Sequence, residues 1–149
     1  MSGSLALPAQ PGRPVFIVDS WPVLQFLYRR EPARSRFRER LEAADRGELQ
    51  LLISRINFGE ITYNLLIKQR LGEIQDIRFA ISDLPWQVVS VDDLLVDEAA
   101  AIKGLHAISY ADAFVAALAR RHGAPVITGD PDFQKLHAAG IVQLDWLGA

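Results

Sequence analysis

Apolar residues along this chain gather in runs of strand length at Val15–Val18, Leu49–Ser54, Trp86–Val91, Val126–Thr128 and Ile141–Leu144. Between these runs, apolar and polar residues recur at helical spacing. Ser20 is placed to cap a short helix from Trp21 to about Tyr28, with Pro22 in its first turn. Pro32 interrupts, and "ARSRFRERLEAADRG" follows as a charged helix stopped by Gly47. Ser54 opens "INFGEITYNLLIKQR", and Gly72 separates it from "EIQDIRFAISDL". Asp92 opens "DLLVDEAAAIKGL", which ends near Gly104, and Ser109 opens "YADAFVAALARRHG". A last helix, "PDFQKLHAAG", follows Asp130. Strands alternating with helices predict an α/β fold with a parallel sheet covered on both faces. No internal repeat and no dividing linker is present. A single domain is expected over residues 14–149, preceded by a flexible tail, "MSGSLALPAQPGR", over residues 1–13.

Composition narrows the function. Half of the 149 residues are hydrophobic and 23% are charged, enough for a packed core. A net charge of -2 argues against a broadly basic nucleic-acid binder and leaves a local patch open. With no cysteine, disulfides, thiolate catalysis and zinc–thiolate sites are excluded. No run of about 18 apolar residues predicts a membrane span, and "LAL" is too short for a signal-peptide core. A cytoplasmic location is expected.

Two strands run straight into an acid: Val15–Val18 into Asp19, and Val126–Thr128 into Gly129 and Asp130. Open sheets of this kind place ligands beyond the carboxyl ends of their strands. Two further acids, Glu60 and Asp112, are lone carboxylates among apolar helix residues, where an unpaired charge costs several kcal/mol. Each acid also has a local explanation. Asp112 lies three residues after Ser109, at capping-box spacing. Asp130 before Pro131 suits a helix N-cap. Asp19 or Ser20 could cap the helix after the first strand, and Glu60 could favour a helix N-terminus electrostatically. One acidic site at the sheet edge explains all four together. Carboxylates about 4 Å apart repel by roughly 4 kcal/mol at an effective dielectric near 20, so a cluster takes up protons or a cation. Oxygen ligands alone suit a hard ion, Mg²⁺ or Mn²⁺, and the implied chemistry is metal-assisted phosphodiester hydrolysis. No GxSxG elbow, Walker A loop or GxGxxG sequence is present. His106, His122 and His137 lack metal-ligand spacing, and His122 sits where it would meet a helix C-terminus.

The stretches "VFIVDS", "INFGEITYNLL" and "SYADAFVAALARRHGAPVITGDPDF" resemble the motifs of PIN-domain ribonucleases, in particular the VapC-type toxins of toxin–antitoxin pairs. The resemblance runs from about Pro14 to the C-terminus, and its last segment is the most specific. It implies a three-layer α/β/α sandwich around a mainly parallel sheet of four to five strands. It implies Mg²⁺- or Mn²⁺-dependent endonucleolytic cleavage of RNA, a homodimer, and silencing by a cognate antitoxin. Asp19, Glu60, Asp112 and Asp130 take the places of the family's acids. The ion would be held by Asp19, Asp112 and Asp130, with Glu60 and Asp132 acting through water. Thr128 matches a position whose hydroxyl lies near the metal or its water. Asn57, one turn before Glu60, occupies a position often polar in relatives. The antitoxin would use a groove of the early helices, for which Trp21, Leu24, Phe26, Leu27 and Tyr28 are candidates; core packing is their other use.

Residues 29–46 carry seven arginines against four acids. Arg34, Arg36 and Arg38 are candidates to grip RNA phosphates, or the face is simply solvated with pairs such as Arg38–Glu42. Three alternatives to a toxin stand beside it: a PIN-type nuclease of RNA processing or DNA cleavage, an inactive partner-binding scaffold, and a phospho-receiver-like signalling domain. The last would need an acidic pair after the first strand and a late lysine. Here Asp19 is followed by Ser20, and Lys135 falls in a helix.

Overall fold

The strand runs are apolar on both sides because both faces of the sheet are covered. A computed structural model describes residues 12–68, 75 and 81–149. Five strands, β1 (Val15–Val18), β2 (Gln50–Ser54), β3 (Trp86–Val89), β4 (Val126–Thr128) and β5 (Leu144–Trp146), pair in parallel in the order β3-β2-β1-β4-β5. Six helices flank them among the described residues: α1 (Ser20–Leu27), α2 (Ala33–Asp45), α3 (Arg55–Ile67), α4 (Asp93–Leu105), α5 (Tyr110–His122) and α6 (Pro131–Ala138). Alternation within the strands sorts side chains between two cores. Ile17, Leu52 and Val126 face α4, α5 and α6, and pack with Leu95, Leu118, Phe133 and Leu136. Their neighbours Val18, Leu51, Ile53 and Ile127 face α1, α2 and α3, and pack with Phe37, Leu41, Ile61 and Leu65. Each such buried side chain contributes about 1.5–3 kcal/mol. The result is the three-layer α/β/α sandwich, with every described strand pair parallel.

Local signals explain most element ends. Ser54, Asp92 and Ser109 cap α3, α4 and α5, their side chains accepting from the N–H groups of Asn57, Leu95 and Asp112. Gly123 ends α5 in the left-handed region at φ 58, where a Cβ would be strained.

Three of these expectations shift. The helix expected from Trp21 begins at Ser20, so the N-cap position falls on Asp19. The strand expected from Trp86 to Val91 ends at Val89. The last strand lies at Leu144–Trp146 and not at Ile141–Leu144. Its apolar forerunners have another use: the Ile141 N–H donates to the Leu136 carbonyl at 2.9 Å, closing α6, while Ile141 and Val142 pack into the α4–α6 core. Most of the tail expected over residues 1–13 and most of the helix expected in "EIQDIRFAISDL" lie outside the described residues. Arg13 itself is tied to the body, its guanidinium donating to the Leu49 carbonyl at 3.4 Å. Among the described residues, no helix is long and apolar enough to cross a membrane.

From β1 the sheet grows outward in both directions, so β1 and β4 flank the point where the strand order reverses. Open sheets bind ligands at such a point, in the crevice beyond the carboxyl ends of the strands.

Candidate metal centre

β1 delivers Asp19 to that crevice, 1% exposed. Its backbone is extended at the N-cap position of α1, yet its side chain makes no capping bond. Instead its Oδ2 accepts from the Thr128 hydroxyl at 2.8 Å, while its buried Oδ1 has no hydrogen-bond partner. β4 ends on Thr128, fully buried, and the same hydroxyl accepts from the Asp130 N–H at 3.0 Å. One hydroxyl thus ties together the ends of two adjacent strands. Asp130 caps α6, its Oδ1 accepting from the Asp132 N–H at 2.9 Å. Asp112 enters from the third position of α5, its own N–H held by the Ser109 hydroxyl at 3.1 Å. One carboxylate oxygen from each of Asp19, Asp112 and Asp130 lies within 4.8 Å of the others. The capping readings of Asp112 and Asp130 and the cluster reading are therefore compatible: main-chain caps hold the turns while the acids converge.

Glu60 stands beside this trio and outside it. It lies beyond the first turn of α3, where a helix dipole has faded. Its Oε1 accepts from the Ser20 hydroxyl, and its Oε2 faces the Tyr63 hydroxyl at 3.5 Å. Neither Ser20 nor Tyr63 was evident as a site residue in the sequence. Ser20 reads equally well as a helix cap, and Tyr63 as one more aromatic in an apolar helix. Trp21 is a further contributor: its indole lies over Gly129, where any Cβ would be driven into the ring, and so holds the turn before Asp130 against α1.

The electrostatics follow from the crowding. Burial, then the charge of Asp112, holds the Asp19 carboxyl well above the usual aspartate range, with the Thr128 hydrogen bond opposing. Burial, then the charge of Asp130, pushes Asp112 up to about 7. Three converging carboxyls, one with a buried oxygen that no donor satisfies, fit a hard divalent cation, which would supply the missing partner and favour the ionised forms.

A pH dependence follows. Asp112 binds its proton more tightly folded than unfolded, so its contribution is fully present below the unfolded pKa, about 4, and is lost as pH rises through about 7. The metal-free protein is expected to melt progressively lower between pH 5 and 7.5. Asp112→Asn should flatten that slope and melt above the parent at pH 7.5, since the cap is made by Ser109 and the Asp112 main chain. A mutant melting several degrees below the parent at pH 7.5 would show that the carboxylate is needed for folding.

The other sequence candidates are placed as follows. Asn57 is fully buried: its Oδ1 accepts from the Ser54 hydroxyl and its Nδ2 donates to the Ala111 carbonyl at 3.3 Å. It clamps α3 to the start of α5 beside Asp112, and is closed to a substrate. Asp132 accepts from Lys135 at 3.2 Å and lies outside the trio. The Arg36 guanidinium is engaged by the carbonyls of Leu147 and Gly148, which removes it as a free phosphate grip. Arg40 grips Asp145 through two bonds of 2.9 and 2.7 Å, so these two arginines anchor the C-terminal segment to α2. Arg38 is exposed and Arg34 half-buried. Trp21, Leu24, Phe26, Leu27 and Tyr28 are all partly buried against the α1–α3 core. His122 ends α5 with its side chain exposed, and partial desolvation and then the Arg121 charge lower its pKa.

An all-parallel sheet with acids converging at its switch point defines an α/β protein with an acidic site at the carboxyl edge. The PIN domain family model matches residues 16–138, and the chain belongs to that family. Among curated proteins none matches it significantly. Solved structures similar to it include a toxin–antitoxin complex from Klebsiella pneumoniae, with 21% identity, a TM-score of 0.60, and 78% of this chain and 88% of that one covered. VapBC2 from Rickettsia felis, bound to a DNA fragment from its promoter, has 12% identity, a TM-score of 0.65, and coverage of 88% and 97%. VapBC-1 from nontypeable Haemophilus influenzae has 15% identity, a TM-score of 0.63, and coverage of 89% and 98%.

Proposed function

We propose that this chain is a metal-dependent endoribonuclease and the toxin of a toxin–antitoxin pair. The observation that carries this reading is the trio Asp19, Asp112 and Asp130, each of which brings a carboxylate oxygen within 4.8 Å of the others, with the buried Asp19 Oδ1 left without a hydrogen-bond partner. These three would hold Mg²⁺, or Mn²⁺ in its place. The ion supplies Lewis acidity, offsetting charge on a phosphate oxygen and making water a stronger nucleophile. The chain's own residues do the rest. Thr128 fixes Asp19 and the turn carrying Asp130 in one geometry. Glu60, steadied by Ser20, stands next to the trio as the base that takes a proton from the attacking water. The toxin role is supported by the toxin–antitoxin complexes among structures of the same fold. A homodimer, an antitoxin partner and a cytoplasmic setting belong to the same reading. Cleavage of single-stranded RNA by the purified protein with Mg²⁺ tests it; no cleavage of any RNA with either Mg²⁺ or Mn²⁺ would refute it.

Arg34 and Arg38 remain as phosphate grips on α2. Arg34→Glu with Arg38→Glu is expected to weaken RNA binding more at low salt than at high salt. Each lost phosphate contact should flatten the log–log salt slope by about 0.7. An unchanged slope would return this helix to a solvated face.

A further inference from the structure

We propose that Tyr63 takes a nucleobase of single-stranded RNA by stacking at the lip of the acidic site, and so sets substrate preference. This inference rests on the nuclease reading above. Tyr63 lies three residues after Glu60, on the same face of α3. Its hydroxyl stands 3.5 Å from Glu60 Oε2, which anchors the polar tip of the ring at the acid. Tyr63 is 50% exposed, while Asn57, Ile61 and Leu65 on the inner face of the same helix are buried. The core therefore does not need it, and an aromatic surface is held in solvent beside the carboxylates.

The need for such a surface follows from charge. The carboxylates of Asp19, Glu60, Asp112 and Asp130 offer a polyanion no attraction of their own; the ion and the α2 arginines meet phosphates, and the bases need a different surface. A base stacked on an aromatic ring gains affinity without charge. Burial and the neighbouring Glu60 charge raise the Tyr63 hydroxyl's pKa, so the ring stays a neutral phenol and adds no repulsion. Stacking tolerates every base and favours those with the larger π-face, so the contact would bias cleavage toward sites with a purine beside the scissile phosphate.

The test uses the whole chain and a single-stranded ten-nucleotide RNA carrying one 2-aminopurine. In EDTA, where cleavage is off, the parent should bind and quench the analogue's fluorescence. Tyr63→Phe keeps the ring and should bind within about twofold of the parent, whereas Tyr63→Leu should bind about tenfold more weakly, the loss of one base–aromatic stack, with the quench removed. With Mg²⁺ and an unlabelled RNA, Tyr63→Leu should raise KM with little change in kcat and reduce the preference for a neighbouring purine. Both variants should melt near the parent, since the residue is half exposed. Equal binding and quenching by parent and Tyr63→Leu, or no binding by the parent, would overturn the proposal. A parent that cleaves while Tyr63→Leu is unchanged overturns the stacking role alone. A parent that binds through Tyr63 and never cleaves with Mg²⁺ leaves that role standing and overturns the nuclease reading.

Discussion

An Asp19→Asn protein is expected to fold, to melt above the parent without metal, and to cleave RNA about a thousandfold more slowly or less. The two halves have one cause. Asp19 is the most enclosed member of the trio: its Oδ2 is held by Thr128 and its Oδ1 has no partner. Unliganded, that carboxyl costs stability, because burial and its acidic neighbours disfavour the ionised form. An amide of the same shape removes the repulsion and still accepts from Thr128 through its carbonyl. The catalytic loss is of the order seen when one preorganised charge-stabilising group is removed, about 10²–10³, with the metal weakened as well. Circular dichroism and a thermal melt check the fold; a labelled RNA followed over time reads the rate. Parent-like cleavage by a folded Asp19→Asn protein would remove Asp19 from the metal centre.

EDTA is expected to abolish cleavage, and Mg²⁺ or Mn²⁺ to restore it. Ca²⁺ should bind yet support little turnover, because its looser shell positions reactants poorly. A second readout does not depend on activity. Metal at about a hundred times its Kd stabilises by about 2.7 kcal/mol, a melting shift of about 5–10 °C for a chain of this size. The shift should grow from pH 5.5 to 7.5, because binding displaces the protons that burial holds on Asp19 and Asp112. RNA cleavage undiminished in EDTA would end the metal mechanism; a melting shift independent of pH would place the ion elsewhere.

Much of this was legible in the sequence because the signals were local. The strands at Val15–Val18 and Val126–Thr128 and the caps Ser54, Asp92 and Ser109 follow from short-range pattern. Asp19 and Asp130 stood out because their strands end at one edge, and Asp112 because it is a lone carboxylate in an apolar helix. What escaped depends on partners far away in the chain. Thr128 donates to Asp19 across the β1–β4 boundary and Arg36 reaches carbonyls 111 and 112 residues on, and no periodicity encodes either choice. Ser20 reads as a cap until the structure shows its hydroxyl on Glu60, 40 residues away. The last strand was misplaced because Ile141 and Val142 are apolar for the core and not for the ladder.

The bond between Thr128 and Asp19 spans 109 residues of chain, and β1 finds its neighbour β4 only after nearly all the sheet has been made. At about 5–20 residues per second, roughly 5–20 s of synthesis separate the first acid from the hydroxyl that orients it. Until residue 130 has been added, the nascent polypeptide holds at most Asp19, Glu60 and Asp112, without the strand that brings them to one point. The acidic centre is therefore assembled only once β4 has been made, by the order of the strands. A chain stopped anywhere before β4 lacks both Thr128 and Asp130, and with them the convergence of the three acids.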